Sequence, residues 1–124
     1  MDESLFDQVG GDAFFFQLID AFYNEVELDA TLRAMYPEDL TASRRHLTLF
    51  LVQYWGGPGT YQQERGHPRL RLRHVPFRIT NDVRDAWLAA MAKALASVGD
   101  QLSDEQLQEL RSYFEMAAQQ LVNA

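Results

Sequence analysis

The chain has 124 residues, 47% hydrophobic and 12% aromatic, enough for one domain over residues 1–124 with a core of its own. It contains no cysteine, which excludes disulfides, thiolate zinc sites and iron–sulfur clusters. A net charge of -7 argues against nucleic acid as a partner, because non-specific binding to it rests on neutralising phosphates. The opening MDESLFDQ lacks the basic and apolar regions of a secretory signal, and no apolar run approaches the roughly 20 residues that span a bilayer. A cytoplasmic protein with no membrane partner is expected.

In chain order, Ser4 to Val9 reads as a short amphipathic turn ended by Gly10-Gly11, with Asp12 placed to cap the next helix. That helix carries Phe15, Ile19, Phe22 and Val26 at helical spacing, with Phe16 and Tyr23 on a neighbouring line. Leu28 to Tyr36 predicts a short helix stopped by Pro37. A further helix from about Thr41 carries Leu47, Phe50, Leu51, Tyr54 and Trp55 and stops at Gly56-Gly57-Pro58-Gly59. Thr60 to His67 is polar and reads as irregular. Arg69 to Arg73 alternates basic and apolar residues, the pattern of a half-exposed strand. A lone strand in a helical chain would leave its backbone groups unpaired, so the context favours one or two helical turns.

Thr80 or Asn81 caps the next helix, whose stripe runs through Val83, Ala86, Trp87, Ala90, Met91, Ala94, Leu95 and Val98. The last helix opens with Ser103-Asp104-Glu105-Gln106, a capping box, and carries Leu107, Leu110, Phe114, Ala117 and Leu121. The fold class is all-α.

The chemistry concentrates between Arg65 and Ile79. Five of the eleven basic residues lie in fourteen positions, 65 to 78, that contain no acid. His74 stands just before Val75-Pro76, so any helix carrying it ends there. One reading is a half-buried histidine satisfied by backbone. The other is a metal ligand, whose second ring nitrogen must be fixed by a hydrogen bond. Spacing does not choose between them. Tyr23, Tyr36 and Trp87 add polar points to apolar stripes, each needing an acceptor if buried. No nucleophile triad, phosphate loop or EF-hand is present, and Gly56 to Gly59 is a helix stop without a phosphate-binding lysine.

Taken together, Tyr54-Trp55-Gly56-Gly57-Pro58, Arg65-Gly66-His67-Pro68-Arg69-Leu70, Arg73-His74-Val75-Pro76-Phe77-Arg78-Ile79 and Asp85-Ala86-Trp87-Leu88 resemble a group II truncated haemoglobin. Phe22-Tyr23 and Tyr36-Pro37-Glu38-Asp39 extend the resemblance over essentially the whole chain. It implies a truncated globin fold, a two-over-two helical sandwich around haem b. His74 then matches the iron-binding proximal histidine, and Tyr23, Tyr36 and Trp87 match the distal side. Leu47 and Phe50 would line the distal wall, Leu70 and Phe77 the proximal side, with Met91 touching the porphyrin. Arg73 and Tyr61 match positions that contact the anionic propionates. His46 stands where relatives often carry a cation toward a propionate, a contact that would weaken above the histidine pKa. Ser43 leaves the distal site small, and His67 reads as structural.

The implied partners are dioxygen, nitric oxide, carbon monoxide or peroxide. Hydrogen bonds to a charged acceptor contribute about 1.5–3 kcal/mol each. Two of them would slow dioxygen release by roughly 10² to 10⁴, which suits storage or redox chemistry better than oxygen transport. The alternative is an enzyme for nitric oxide dioxygenation and detoxification, or for peroxide-dependent oxidation, which requires an unidentified reductase. A haem-free helical interaction module is a third reading, and the intact His74 counts against it. Monomer and homo-oligomer are equally compatible with the sequence.

Overall fold

The computed structural model describes residues 3–124; Met1 and Asp2 of the opening segment lie outside the described residues. Helix α2 (Asp12–Leu28) is the centre of the packing. Phe15, Leu18, Ile19, Phe22 and Val26 recur every three or four residues and are completely buried. Burial of each contributes about 1.5–3 kcal/mol. Phe16 is instead 40% exposed although Tyr23 on its line is buried, and Phe14 extends the buried face on the other side.

Helix α2 packs most extensively on α7 (Asn81–Ser97) and next on α4 (Thr41–Tyr54), while α7 packs on α8 (Asp104–Leu121). The result is the truncated globin arrangement, with α2 and α4 layered on α7 and α8. Their core is one cluster in which Phe15 stacks on Trp55 and Phe114 meets Trp55 edge to face, with ring centroids 6.0 Å apart in both pairs. No helix among the described residues is long and apolar enough to cross a membrane.

Local chemistry sets the boundaries. Thr80 Oγ1 accepts the Val83 N–H at 3.2 Å to start α7. At α8 the capping box is complete, Ser103 Oγ accepting from Gln106 N at 3.1 Å and Gln106 Oε1 from Ser103 N at 2.9 Å. Asp12 is not the cap of α2. Gly11, at φ 81°, precedes the helix, and Asp12 lies in its first turn, where a carboxylate faces the positive end of the helix dipole. The capping residue of α3 (Ala30–Arg33) is Asp29, which shortens the helix expected from Leu28 to Tyr36.

One further segment corrects the sequence reading and another bears it out. Thr60 to Arg65 forms helix α5, anchored by buried Tyr61 and by Gln53 Oε1 accepting from Gln62 N at 2.9 Å. Leu70 to His74 forms α6, which resolves the alternating segment as helix; its preceding residue, Arg69, is left-handed at φ 45°.

Helix α1 (Leu5–Gln8) closes the end of α4. Its Phe6 N–H donates to Trp55 O at 3.1 Å, and the Phe6 ring rests over Gly57. A Cβ at Gly57 would stand 2.6 Å from Val52 Cγ1 and 2.8 Å from the Phe6 ring. Gly57→Ala is therefore expected to cost about 1–3 kcal/mol of unfolding free energy. Gly59→Ala, whose Cβ would meet only Gln53 Oε1 at 3.7 Å, is expected to be near neutral. Denaturant midpoints at unchanged m-value compare the two.

Candidate functional site

A cleft of about 380 Å³ lies between α4, α6, α7 and α8, with residues of α2, α3 and α5 completing its lining. On one side stands His74, the last residue of α6. Its Nδ1–H donates to Leu70 O at 2.6 Å, which fixes the tautomer and leaves Nε2 as the nitrogen available to the cleft. Leu70 and Phe77 flank it, the Phe77 ring centroid 6.5 Å from that of the imidazole.

The polar wall comes from α2, the turn after α3, and α7. Tyr23 and Tyr36 meet edge to face at 5.5 Å, and Phe22 links Tyr23 to Trp87 with centroids 5.1 and 5.0 Å away. Burial first, and then the neighbouring Tyr36 phenol, hold the Tyr23 hydroxyl far above the ordinary tyrosine range. Tyr36 is likewise raised by burial, against hydrogen-bonding effects of the Trp87 indole and Tyr23. Both phenols carry an O–H at neutral pH, and burial moves their ionisation further from it. Ser43, Leu47 and Phe50 line the same cleft from α4.

A basic rim closes the third side. Arg65 Nη1 lies 3.1 Å from His46 Nδ1 and 3.0 Å from His46 Nε2, and its guanidinium sits 6.0 Å over the Tyr61 ring. Arg65 Nε is buried with no hydrogen-bond partner. Arg73 serves partly as a strut: its Nε donates to Pro68 O at 2.7 Å and one Nη to Arg65 O at 2.9 Å. His67 Nδ1 accepts from Arg69 N at 3.2 Å, a turn-forming contact outside the cleft.

The cleft thus gathers His74, the distal trio and the flanking residues named from the sequence. Met91 is the exception. It is buried in the core cluster and does not line the cleft, because Trp87, one turn earlier on α7, occupies the exposed edge of that stripe. Sequence reasoning missed Arg65 as a lining residue, although it opens the Arg-Gly-His-Pro motif. It also missed the α8 wall, where Ala117 and Ala118 interrupt a stripe of large residues and so keep the cleft wide.

No group of three or more His, Cys, Asp or Glu residues stands together among the described residues. Two-over-two packing around a cleft that presents one free imidazole nitrogen is the arrangement of a globin.

Comparison with known proteins agrees. The family model for bacterial-like globins matches residues 4–120. The group 2 truncated hemoglobin YjbI of Bacillus subtilis is 43% identical over 113 residues, 91% of this chain and 84% of that protein. The crystal structure of a hemoglobin from the thermophilic phototroph Chloroflexus aurantiacus superposes with a TM-score of 0.95 at 44% identity, over 99% of this chain and 100% of the other. A truncated oxygen-avid haemoglobin from Bacillus subtilis superposes at 0.91 and 40% identity, covering 98% and 100%. The chain belongs to the bacterial-like globin family and, within it, to the group II truncated haemoglobins.

Membership implies haem binding, and the residues present fit that group. The cleft walls are mainly apolar, His74 Nε2 is free, and the orphaned Arg65 Nε supplies a buried cationic donor of the kind a propionate accepts from.

Burial, and then the Arg65 charge, lower the His46 pKa below its ordinary 6.5. A histidine held neutral binds fewer protons folded than unfolded, so stability rises with pH between the lowered value and 6.5. In the haem-free protein, stability is expected to fall as pH drops through that window, and His46→Gln is expected to flatten that part of the profile. Urea midpoints across the window check it.

Proposed function

We propose that this protein holds haem b through His74 Nε2 and binds dioxygen and other diatomic ligands beside Tyr23, Tyr36 and Trp87, releasing dioxygen slowly. When bound, haem would supply a ferrous iron able to take a diatomic ligand. The observation that carries the reading is the polar wall: two buried phenols next to an indole N–H, on a cleft whose other walls are mainly apolar. Such donors favour a ligand that carries partial negative charge, and burial strengthens them by excluding water. Arg65, Arg73, Tyr61 and His46 form the rim that receives the propionates, with His46 acting as a neutral partner of Arg65. Leu47, Phe50, Leu70 and Phe77 supply apolar contact with the porphyrin. The oxygen avidity attributed to the Bacillus subtilis haemoglobin supports the same property in this chain.

A second reading, oxidation of nitric oxide or peroxide-driven turnover in the cytoplasm, draws on a different observation. Trp87 and Tyr113 line the cleft and are oxidisable, and half-exposed Tyr54 lies 4.3 Å from Tyr113 between ring centroids. Turnover would need a reductase. Arg69, Arg71 and Arg78 are exposed and join none of the ion pairs found among the described residues, which suits docking of an acidic one.

An absorption spectrum before and after reduction and exposure to oxygen tests the haem reading. The wild type is expected to show a stable oxygenated form, and His74→Gly a differently ligated spectrum or none. A spectrum indifferent to His74 overturns its role. Stopped-flow dioxygen release is expected to be roughly ten-fold faster, or more, in Trp87→Phe, the loss of one charge-assisted hydrogen bond. An unchanged off-rate removes Trp87 from the stabilising role.

A further inference from the structure

The element that carries His74 does not hold itself in place. Helix α6 has five residues, none of them buried, no side-chain cap, and a left-handed residue before it. A helix so short is unstable without outside contacts. Its first turn is braced by Arg73, through Pro68 O and Arg65 O. Its last turn is braced by one residue beyond the end of α8, Asn123.

Asn123 makes four hydrogen bonds to the segment that follows the imidazole. Its Oδ1 accepts from Ile79 N at 2.8 Å and its backbone N–H donates to Ile79 O at 2.9 Å. Its Nδ2 donates to Phe77 O at 2.9 Å and to His74 O at 3.3 Å. Only this orientation of the amide satisfies all its partners, since the acceptor oxygen meets an N–H and the two-donor nitrogen meets two carbonyls. The His74 carbonyl, past the intrahelical ladder, accepts from Phe77 N–H at 3.0 Å and shares its second lone pair with Asn123 Nδ2. Among the contacts of Asn123, this one reaches the backbone of the histidine itself.

We propose that Asn123 is a positioning residue for His74: it fixes the backbone on which the imidazole turns and so sets the strength and uniformity of the bond from Nε2 to iron. This rests on the reading that His74 ligates haem. A bond to iron from a histidine on a loose arm samples several orientations and lengths, whereas a clamped arm presents one.

Two variants separate clamping from folding. Asn123→Ala removes all three side-chain bonds. Asn123→Asp keeps the acceptor for Ile79 N–H but sets a carboxylate oxygen against the carbonyls of His74 and Phe77. In the reduced, ligand-free holoprotein, resonance Raman spectroscopy is expected to show the iron–histidine stretching band shifted and broadened in both variants, with Asp at least as perturbed as Ala. Haem transfer to an acceptor apoglobin is expected to be roughly ten-fold faster. Amide exchange of the haem-free protein gives an independent readout: Ile79 N–H is expected to lose protection in Asn123→Ala and to keep it in Asn123→Asp. A band and a haem-loss rate equal to wild type in both variants overturn the proposal, even if the unfolding midpoint falls. If wild type itself gives no iron–histidine band, or if the band survives in His74→Gly, the haem reading fails first and this inference fails with it.

Discussion

The contact between α2 and α7 is the interaction on which the rest depends. Phe22 is completely buried in it, and the same ring touches Tyr23 on its own helix and Trp87 on the other. The polar wall of the cleft is therefore the outer layer of the hydrophobic core. Its hydroxyls and indole are aimed by packing, which locks rotamers far more firmly than an exposed loop does. The arrangement also ties the two properties together. A change that loosens Phe22 would disturb the donors at the cleft as well as the stability of the fold.

How much of this was legible in the residues depended on what each element buries. Helices α2, α7 and α8 have long apolar stripes, α7 and α8 also side-chain caps, and periodicity places all three directly. Helix α5 escaped because only Tyr61 among its residues is buried, leaving a polar sequence with no period to detect. Helix α6 looked like a strand because none of its residues is buried, so no core-facing stripe imposes a helical pattern on it. The candidate site came through the family resemblance of its motifs. Spacing alone left His74 undecided. Arg65 and His46 are nineteen positions apart, and the α8 wall is more than forty from His74, so the partnerships that shape the rim exist only in three dimensions.

The acid-free stretch divides its arginines between two environments. Arg65 and Arg73 turn inward, spending donors on backbone carbonyls and on His46, while Arg69, Arg71 and Arg78 face solvent. In a chain of net charge -7, the inward pair supplies positive potential where an anionic group would sit, and the outward three mark the adjoining surface with the opposite sign from the whole. Burial lowers the His46 pKa most, and the same crowding adds to it, since a second cation against Arg65 would be repelled.

Helix α6 contributes nothing to the buried core, so the energy that holds it comes from polar contacts and from whatever fills the cleft. Elements with few buried contacts open most readily. The long helices keep their buried contacts without α6, so the arm that carries His74 is the part of the cleft wall that yields first and the frame the part that yields last.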